Sequence, residues 1–291
     1  MTAPGTETLR ALAARGRRHV VRAVARAGAG HIGGPLSAMD ILVALYFGVL
    51  RLDAGCPDWP GRDRFILSKG HSALALYAVL AMRGYFPESW LDSFDRLGSP
   101  LQGHPDMLRC PGVEMSTGSL GQGLSVGLGM ALGAERRGLH SRVVVLLGDG
   151  ECQEGQVWEA AHTAACLGAG RLLAIVDWNG LPQFGWPGQQ PLARQRPELA
   201  ARFAAFGWEV AEVDGHDPQA LLGVLGQAPA SRPRVVLART HKGHGVSFME
   251  DEPGWHARVP TPAELQAAVA QLDAAGADAP AALAAVAGAR P

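Results

Sequence analysis

The length, composition and charge of the chain limit what kind of protein it can be. It has 291 residues, of which 47% are hydrophobic and 18% charged, and its formal net charge at pH 7 is −1. A chain of this length can bury a sizeable core, and a net charge near zero excludes the basic surface that attracts nucleic acid or anionic lipid. Any anionic ligand must therefore be held locally, by backbone NH groups, a few histidines or a metal ion.

Cysteine spacing and hydropathy indicate a cytoplasmic protein that contacts neither membrane nor nucleic acid. The four cysteines are scattered without a CxxC pair, which is typical of reduced thiols. No apolar run reaches the length of a membrane span. The N-terminus lacks the apolar core of a signal peptide, so we interpret it as an amphipathic helix, with a transit peptide as the less favoured alternative.

In chain order, the predicted elements alternate between helices and short apolar strands. The first hundred residues are mostly helical and contain one strand at 63–68. The remaining elements are a helix at 123–138, a strand at 142–147, a helix at 154–168, strands at 172–177 and 208–214, a helix at 217–228 and a strand at 234–239. This alternation predicts right-handed βαβ units. The predicted fold class is therefore α/β, a doubly wound parallel sheet with helices on both faces.

The same pattern predicts a single domain over residues 1–291. We expect residues 1–14 to be a loose lead-in, and the Ala-rich residues 262–291 to form a helical tail. In a doubly wound sheet, ligands bind at the carboxyl ends of the strands. The candidate functional residues are therefore those that follow each predicted strand.

A Gly-Asp-Gly sequence follows the predicted strand at 142–147. The flanking glycines allow a sharp turn, so Asp149 is presented where the strand gives way to a helix. Asn179 follows the next predicted strand, and the two turns are expected to be neighbours. A carboxylate, an amide oxygen and a nearby backbone carbonyl are hard ligands suited to Mg²⁺ or Ca²⁺. Taken alone, the motif is equally compatible with an ordinary turn and an ordinary helix cap.

Several histidines lie in glycine-rich turns at the predicted strand ends or in loops. His31, His71, His104 and His244 each have a glycine neighbour, and His256 follows in Pro-Gly-Trp-His. Imidazoles can donate hydrogen bonds to phosphate and sugar hydroxyls, and they can move protons near neutral pH. A lone histidine is more often a structural residue, but several in such turns favour a functional site.

These motifs occur in the order that they have in the N-terminal half of transketolases. The segments are "GHIGGPLSAMDILVALYF", "DRFILSKGHSALALYA", "LQGHP", "STGSLGQGLSVGLGMALG", "VVVLLGDGECQEGQVWEAA", "IVDWNGL", "VDGHD" and "KGHGVSFMED". Over roughly residues 15–260, the chain resembles this family, and it is most similar to the separate N-terminal subunit of split, two-gene transketolases. The resemblance implies thiamine diphosphate as cofactor and transfer of a two-carbon ketol unit from a ketose or ketose phosphate to an aldose.

The resemblance also implies roles for the residues that match the family motifs. Mg²⁺ or Ca²⁺ would be bound by Asp149, Asn179 and the main-chain carbonyl of Leu181. Thiamine diphosphate would be contacted by His71, Gly118, Ser119, Leu120, Gly150 and His256, together with Asp149 and Asn179. The catalytic residues would be His31, His104 and His256, which face the donor sugar, and Glu154, which joins an acidic network between two cofactor sites of a dimer.

A partner subunit is implied as well. In this family the glutamate that activates the cofactor, and the residues that bind the sugar phosphate, lie in a pyrimidine-binding domain that follows the region matched here. The resemblance therefore implies a separate C-terminal subunit with the pyrimidine-binding and C-terminal domains. We expect a heterotetramer with two copies of each subunit, inactive without the partner.

Three residues depart from the family pattern, and two other functions stay open. Gln183 and Phe184 stand in Leu-Pro-Gln-Phe-Gly where the family typically has Leu-Gln-Ile-Asp-Gly, and Ala257 replaces the usual glycine after His256. These changes alter the expected lining of the cofactor pocket, whereas the expected metal ligands are unchanged. The alternatives are another thiamine diphosphate-dependent C–C bond reaction of a specialised pathway, and a non-catalytic paralogue. The sugar-facing histidines argue against oxo-acid decarboxylation, and the intact metal ligands argue against a paralogue with a decayed site.

Overall fold

The computed structural model of the protein describes residues 4–181, 196–276 and 281–282. These residues form a five-stranded sheet in which every neighbouring pair of strands is parallel. The strands are β1 (Arg64–Leu67), β2 (Val143–Gly148), β3 (Leu172–Trp178), β4 (Glu209–Asp214) and β5 (Arg234–Arg239). Their order in space is β1-β2-β3-β5-β4. The predicted fold class is confirmed.

Helices cover both faces of this sheet. They are α1 (Thr6–Ala27), α2 (Gly33–Ala44), α3 (Ala73–Met82), α4 (Gln122–Arg136), α5 (Gly155–Cys166), α6 (Arg196–Ala205), α7 (Pro218–Leu225) and α8 (Pro262–Ala275). A π-helical turn, Leu45–Val49, continues α2, and short 3-10 turns include Gly70–Ser72, Gly150–Gln153 and Pro253–Trp255. In the part of the chain that the structure describes, none of the helices combines the length and the apolarity that a membrane crossing needs.

The central strands are buried on both sides. Alternate side chains of β2 enter two different cores: Val144 and Leu146 pack in the core that contains α1, α2 and α3, whereas Val143, Val145 and Leu147 pack in the core that contains α4, α5 and α6. Successive side chains of a strand point to opposite faces. Because both faces are covered, β2 and β3 need no polar side and consist of nearly continuous apolar residues.

The N-terminal segment is part of the core, so the expectation of a loose lead-in over residues 1–14 is wrong from residue 6 onward. Helix α1 begins at Thr6, and Leu9 and Leu12 are only 1% and 0% exposed. The reason is tertiary packing, since α1 lies against α2, α3 and α8. The approach to α2 is close: a Cβ atom on Gly16 would lie 2.4 Å from Met39 Sδ.

The parallel arrangement brings the carboxyl ends of all five strands to one edge of the sheet. The turns at this edge are residues 68–72 after β1, residues 149–153 after β2, residues 179–181 after β3 and residues 240–251 after β5. They contain the Gly-Asp-Gly motif, Asn179 and two of the glycine-flanked histidines. The carboxyl edge is therefore where the predicted site residues can meet.

Candidate active site

Four of the predicted histidines form one group at the carboxyl edge. His31 precedes α2, His71 lies in the turn after β1, His104 lies in the loop before α4, and His256 follows the Pro253–Trp255 turn. The ring centroid of His31 is 5.1 Å from that of His256, 5.3 Å from that of His71 and 5.9 Å from that of His104. Four separate segments of the chain thus contribute to a single imidazole cluster, hereafter the four-histidine group.

Burial keeps most of this group uncharged. Desolvation lowers the pKa of His71 to about 2, with a further contribution from Lys69, and it lowers the pKa of His256 to about 4, with a contribution from Lys242. The pKa of His31 is also lowered, mainly by burial. These three rings are neutral near pH 7, so each can accept a hydrogen bond at one nitrogen and donate at the other. Nδ1 of His256 is buried and has no hydrogen-bond partner among the described residues, so it is available to a ligand.

The Gly-Asp-Gly turn and the Asn179 turn are in direct contact. Asp149 Oδ2 accepts a hydrogen bond of 2.6 Å from the Gly180 N–H, and Oδ1 accepts one of 2.7 Å from the Gly150 N–H. Asn179 Oδ1 accepts a bond of 3.2 Å from the Leu181 N–H. Burial raises the pKa of Asp149 despite its two backbone hydrogen bonds. A buried carboxylate of this kind gains from a nearby cation.

Lys242 provides a cation at these turns. Its side chain is 2% exposed, and Nζ donates a hydrogen bond of 2.8 Å to the Leu181 carbonyl, the group expected to bind a metal. Burial, and then the charge of Lys69, lower the pKa of Lys242 to about 8. A carbonyl oxygen has two lone pairs, so Lys242 leaves one acceptor position of Leu181 available.

A buried ion pair lies beside these turns. Lys69 Nζ bonds to Oδ2 of Asp177, and both side chains are at most 2% exposed. Ser37 Oγ donates to the same oxygen at 2.6 Å, and Thr240 Oγ1 donates to the other oxygen of Asp177. Burial by itself would raise the pKa of Asp177, but Lys69 and these hydroxyl groups hold it below its usual value. The pair ties the ends of β1, β3 and β5 to helix α2.

The Glu151 carboxylate connects three segments of the chain through hydrogen bonds. It is 2% exposed and accepts hydrogen bonds from the Ser68 hydroxyl, from the Gly121 N–H at 2.8 Å and from the Gly148 N–H at 3.0 Å. These donors belong to the turn after β1, the start of α4 and the end of β2. The Glu151 side chain therefore holds the Gly-Asp-Gly turn against the loop that precedes α4.

The remaining predicted residues lie at the margin of the site. Gly118 and Ser119 are exposed and Leu120 is partly buried, and a Cβ atom on Gly118 would lie 3.1 Å from His104 Cδ2. This loop therefore borders the four-histidine group. Glu154 is exposed at the N-terminus of α5, outside that group, and Ala257 is exposed directly after His256. Gln183 and Phe184 lie outside the described residues.

Sequence reasoning missed the buried charged residues of the site, namely Lys69, Glu151, Asp177 and Lys242. Both lysines directly precede a Gly-His pair that was singled out for its histidine, and Asp177 ends an apolar strand. A charged residue in such a position indicates burial with a partner. The partner itself comes from a distant part of the chain, so local sequence does not reveal it.

Comparisons with known proteins identify the family of the chain. Residues 8–273 match the family described as transketolase, thiamine diphosphate binding domain. The chain is 41% identical over 263 residues to the 6-deoxy-6-sulfo-D-fructose transketolase subunit SqwG of Clostridium sp. (strain MSTE9), which covers 90% of this chain and 94% of that protein. It is 42% identical over 244 residues to an apulose-4-phosphate transketolase subunit of Actinobacillus succinogenes, covering 84% and 87% of the two chains.

Solved structures show the same fold. A transketolase mutant from Pichia stipitis superimposes with a TM-score of 0.81 at 26% sequence identity, covering 97% of this chain and 45% of that chain. The chain thus spans a little under half the length of that transketolase. It belongs to the transketolase family, in which it corresponds to the thiamine diphosphate-binding part.

Proposed function

We propose that the chain is the diphosphate-binding subunit of a transketolase that works with a separate partner subunit. The assembled enzyme transfers a two-carbon ketol unit from a ketose to an aldose. The observation that carries this proposal is that the four-histidine group and the two hydrogen-bonded turns with Asp149 and Asn179 lie at the same carboxyl edge of the sheet. The two relatives named as transketolase subunits are matched over 94% and 87% of their lengths, which supports a separate subunit.

The proposed donor is a ketose that carries an anionic group at its far end. This class is supported by the names of the relatives, one for a sulfo-fructose and the other for apulose-4-phosphate. Bound thiamine diphosphate supplies the nucleophile and the electron sink that cleavage of a C–C bond beside a carbonyl requires. The neutral imidazoles of His31 and His256 accept and return protons at the sugar hydroxyls, and His104 faces the same sugar from its exposed loop.

The described residues fit thiamine diphosphate. His256 Nδ1 and Ser72 Oγ are buried without a hydrogen-bond partner in the part of the chain that the structure describes, so they are available to a polar ligand. Lys242, whose ammonium group is bonded to a carbonyl rather than to a carboxylate, supplies positive charge for a diphosphate. We assign the remaining contacts to His71, to Gly150 and to residues 118–120, whose loop borders the four-histidine group.

The donor set also fits Mg²⁺ or Ca²⁺. Asp149, Asn179 and the Leu181 carbonyl offer three oxygen atoms from two turns that are joined by the Asp149–Gly180 hydrogen bond. A divalent cation bound by these groups would offset the cost of burying the Asp149 carboxylate. Glu154, exposed at the start of α5, is free to join an acidic network with a second copy of the site.

The partner subunit is proposed to cover the loop that carries His104. Leu97 and Leu108 are 107% and 88% exposed, and the Arg109 guanidinium donates to the Gly98 carbonyl at 3.0 Å, so their two turns are adjacent. Two exposed leucines on adjacent turns support an apolar contact with a partner at this place. We propose that the partner buries them in a heterotetramer and completes the sugar-binding side of the site.

Turnover tests the need for a partner. The purified chain, supplied with thiamine diphosphate, MgCl₂, a ketose phosphate and an aldose acceptor, is expected to be inactive alone and active when the partner subunit is added. Robust turnover by the single chain would contradict the proposal.

Cofactor binding tests the site itself. Thiamine diphosphate should quench tryptophan fluorescence in a Mg²⁺-dependent manner, because Trp178 is buried directly before Asn179. Asp149→Ala should abolish the quenching, whereas Glu135→Ala, an exposed carboxylate near the far end of α4, should leave it unchanged. Equal quenching in the two variants would rule out Asp149 as a metal ligand.

A further inference from the structure

A second histidine cluster is formed between the loop that carries Lys242 and the turn after β4. His216, which follows β4, stacks on His244 with ring centroids 3.6 Å apart. Nδ1 of His216 lies 2.7 Å from Oδ2 of Asp40, and Arg17 forms an ion pair with the same carboxylate. Arg17 and Asp40 are 5% and 6% exposed, so this network is buried between α1, α2 and the end of β4.

The contacts of this cluster argue against a metal ion. Asp40, His216 and His244 each place a ligand atom within 4.8 Å of the others, a spacing that a metal could use. However, the Arg17 guanidinium already neutralises Asp40, and both nitrogens of His216 have hydrogen-bond partners. Burial by itself would raise the pKa of Asp40, but Arg17 and His216 hold it well below its usual value. Asp40 is therefore a charged acceptor that orients its neighbours.

The hydrogen bonds also define the protonation of His216. The backbone N–H of His241 donates to Nε2 of His216 at 2.9 Å. A backbone N–H can only donate, so Nε2 carries no proton. The proton of a neutral ring then resides on Nδ1, where it is donated to Asp40. His216 is thus held as the neutral Nδ1–H tautomer between a buried carboxylate and the backbone of His241.

The backbone that His216 contacts leads directly to the site. Lys242 follows His241, and its ammonium group reaches the Leu181 carbonyl at 2.8 Å. Two further backbone hydrogen bonds hold the same segment. The Gly243 N–H donates to the Gly33 carbonyl at 3.0 Å, and the Asp251 N–H donates to the Lys242 carbonyl at 2.8 Å. His216 is the side-chain acceptor for the amide immediately before the lysine.

We propose that His216 is a positioning residue for Lys242: bonded to Asp40, which is itself paired with Arg17, it fixes the backbone of His241 and so the direction of the lysine that follows. The effect on cofactor binding rests on the proposed function, whereas the effect on the backbone does not. In the described residues, the hydrogen bonds and ring contacts of His216 are with Asp40, His241 and His244, so its influence on Lys242 passes through the His241 amide.

Hydrogen exchange tests the backbone effect without any cofactor. His216→Phe keeps a planar ring but removes both the acceptor and the donor, whereas His216→Gln keeps one of each. A lost hydrogen bond of about 1.4 kcal/mol corresponds to roughly tenfold faster exchange, so we expect that increase for the His241 amide in His216→Phe alone. Native rates are expected in His216→Gln and in His140→Gln, an exposed histidine before β2. Native exchange at His241 in a folded His216→Phe would overturn the proposal.

The tautomer of His216 can be measured directly in the native chain, without a variant. Long-range ¹H–¹⁵N spectra of the ¹⁵N-histidine-labelled native chain at pH 7.5 are expected to show His216 protonated at Nδ1 and unprotonated at Nε2. An Nε2–H tautomer or a doubly protonated ring would overturn the assignment, because neither accepts from the His241 amide.

Binding of thiamine diphosphate with Mg²⁺ tests the consequence for the site. We expect the dissociation constant to rise about tenfold in His216→Phe, the equivalent of one lost interaction, and to stay near native in His216→Gln. Native affinity in His216→Phe would overturn the link to Lys242. Absence of binding by the native chain would instead refute the proposed function, and the exchange and tautomer measurements would still decide the role of His216.

Discussion

Two buried lysines supply positive charge to the carboxyl edge, and they differ in what they contact. Lys69 is paired with the carboxylate of Asp177, whereas Lys242 bonds to a backbone carbonyl. A carboxylate neutralises an ammonium group, but a carbonyl does not. The charge of Lys242 is therefore available to an anionic ligand, whereas the contribution of Lys69 is mainly to keep Asp177 ionised inside the protein.

The Lys69–Asp177 pair leads to a prediction about stability. Lys69→Met leaves a fully buried carboxylate without its counter-ion, so we expect the free energy of unfolding to fall by about 3 to 5 kcal/mol. Urea unfolding of the cofactor-free chain measures this change. Arg202→Met is the control, because the Arg202–Glu198 pair is more than half exposed on both sides, and its loss should change stability by less than about 0.5 kcal/mol. Similar effects of the two variants would contradict the prediction.

At the scale of a single element, α4 shows how glycine sets the distance between a helix and the sheet. A Cβ atom on Gly127 would lie 2.5 Å from Val145 Cγ2 of β2, whereas a Cβ atom on Gly129 or Gly133 would have no neighbour within 4 Å. One face of α4 therefore packs on the sheet through its backbone, and the opposite face is open. The close approach also brings the start of α4 to Glu151, which accepts from the Gly121 N–H.

The two faces of α4 should respond in opposite ways to the same substitution. Gly127→Ala overpacks the contact with β2 and should lower the free energy of unfolding by about 1 to 3 kcal/mol. Gly129→Ala reduces backbone freedom in the unfolded chain without a clash and should raise it by about 0.5 to 1 kcal/mol. Thermal or urea unfolding of the two variants measures the difference. Equal shifts would show that α4 does not pack on β2 through Gly127.

For the whole molecule, the buried histidines predict how stability depends on pH. In the folded chain the pKa values of His71 and His256 lie at about 2 and about 4, below the ordinary value of 6.5. Between pH 6.5 and about 4, the unfolded chain therefore binds more protons than the folded chain. The stability that comes from keeping these rings neutral is complete above pH 6.5 and is lost as the pH falls.

This pH dependence can be isolated with one variant. His256→Asn has no proton to gain at that position, so its free energy of unfolding should fall less than that of the native chain between pH 7.5 and pH 5. Asp149 and Glu151, whose pKa values are raised by burial, act with the opposite sign but are present in both proteins. Denaturant titrations at the two pH values provide the comparison, with His140→Gln as the matched control. Parallel losses in the native chain and in His256→Asn would show that His256 is not kept neutral by the fold.

Much of the sheet was predictable, because the pattern that identifies each strand lies within a short stretch of sequence. The strand predicted at 234–239 matches β5 residue for residue, and the other strand boundaries differ by at most one residue. Strands buried on both faces consist of continuous apolar residues, so a short window of sequence identifies them. Helix α1 shows the opposite case. Its sequence predicts an amphipathic helix but not what that helix packs against, and only its contacts with α2 and α8 place Leu9 and Leu12 in the core.

For the site, the pattern of residues was sufficient to propose hard oxygen ligands at Asp149 and Asn179, because glycine-flanked polar residues after apolar strands must lie at the edge of a parallel sheet. Interactions between residues that are far apart in the sequence could be identified only from the tertiary structure. Three such interactions are the pairing of Lys69 with Asp177, the contact of Lys242 with Leu181 and the hydrogen bond of His216 with Asp40. The energy of a buried charge depends on which groups the fold places within a few ångströms of it. The residues next to it in the sequence do not show which groups those are.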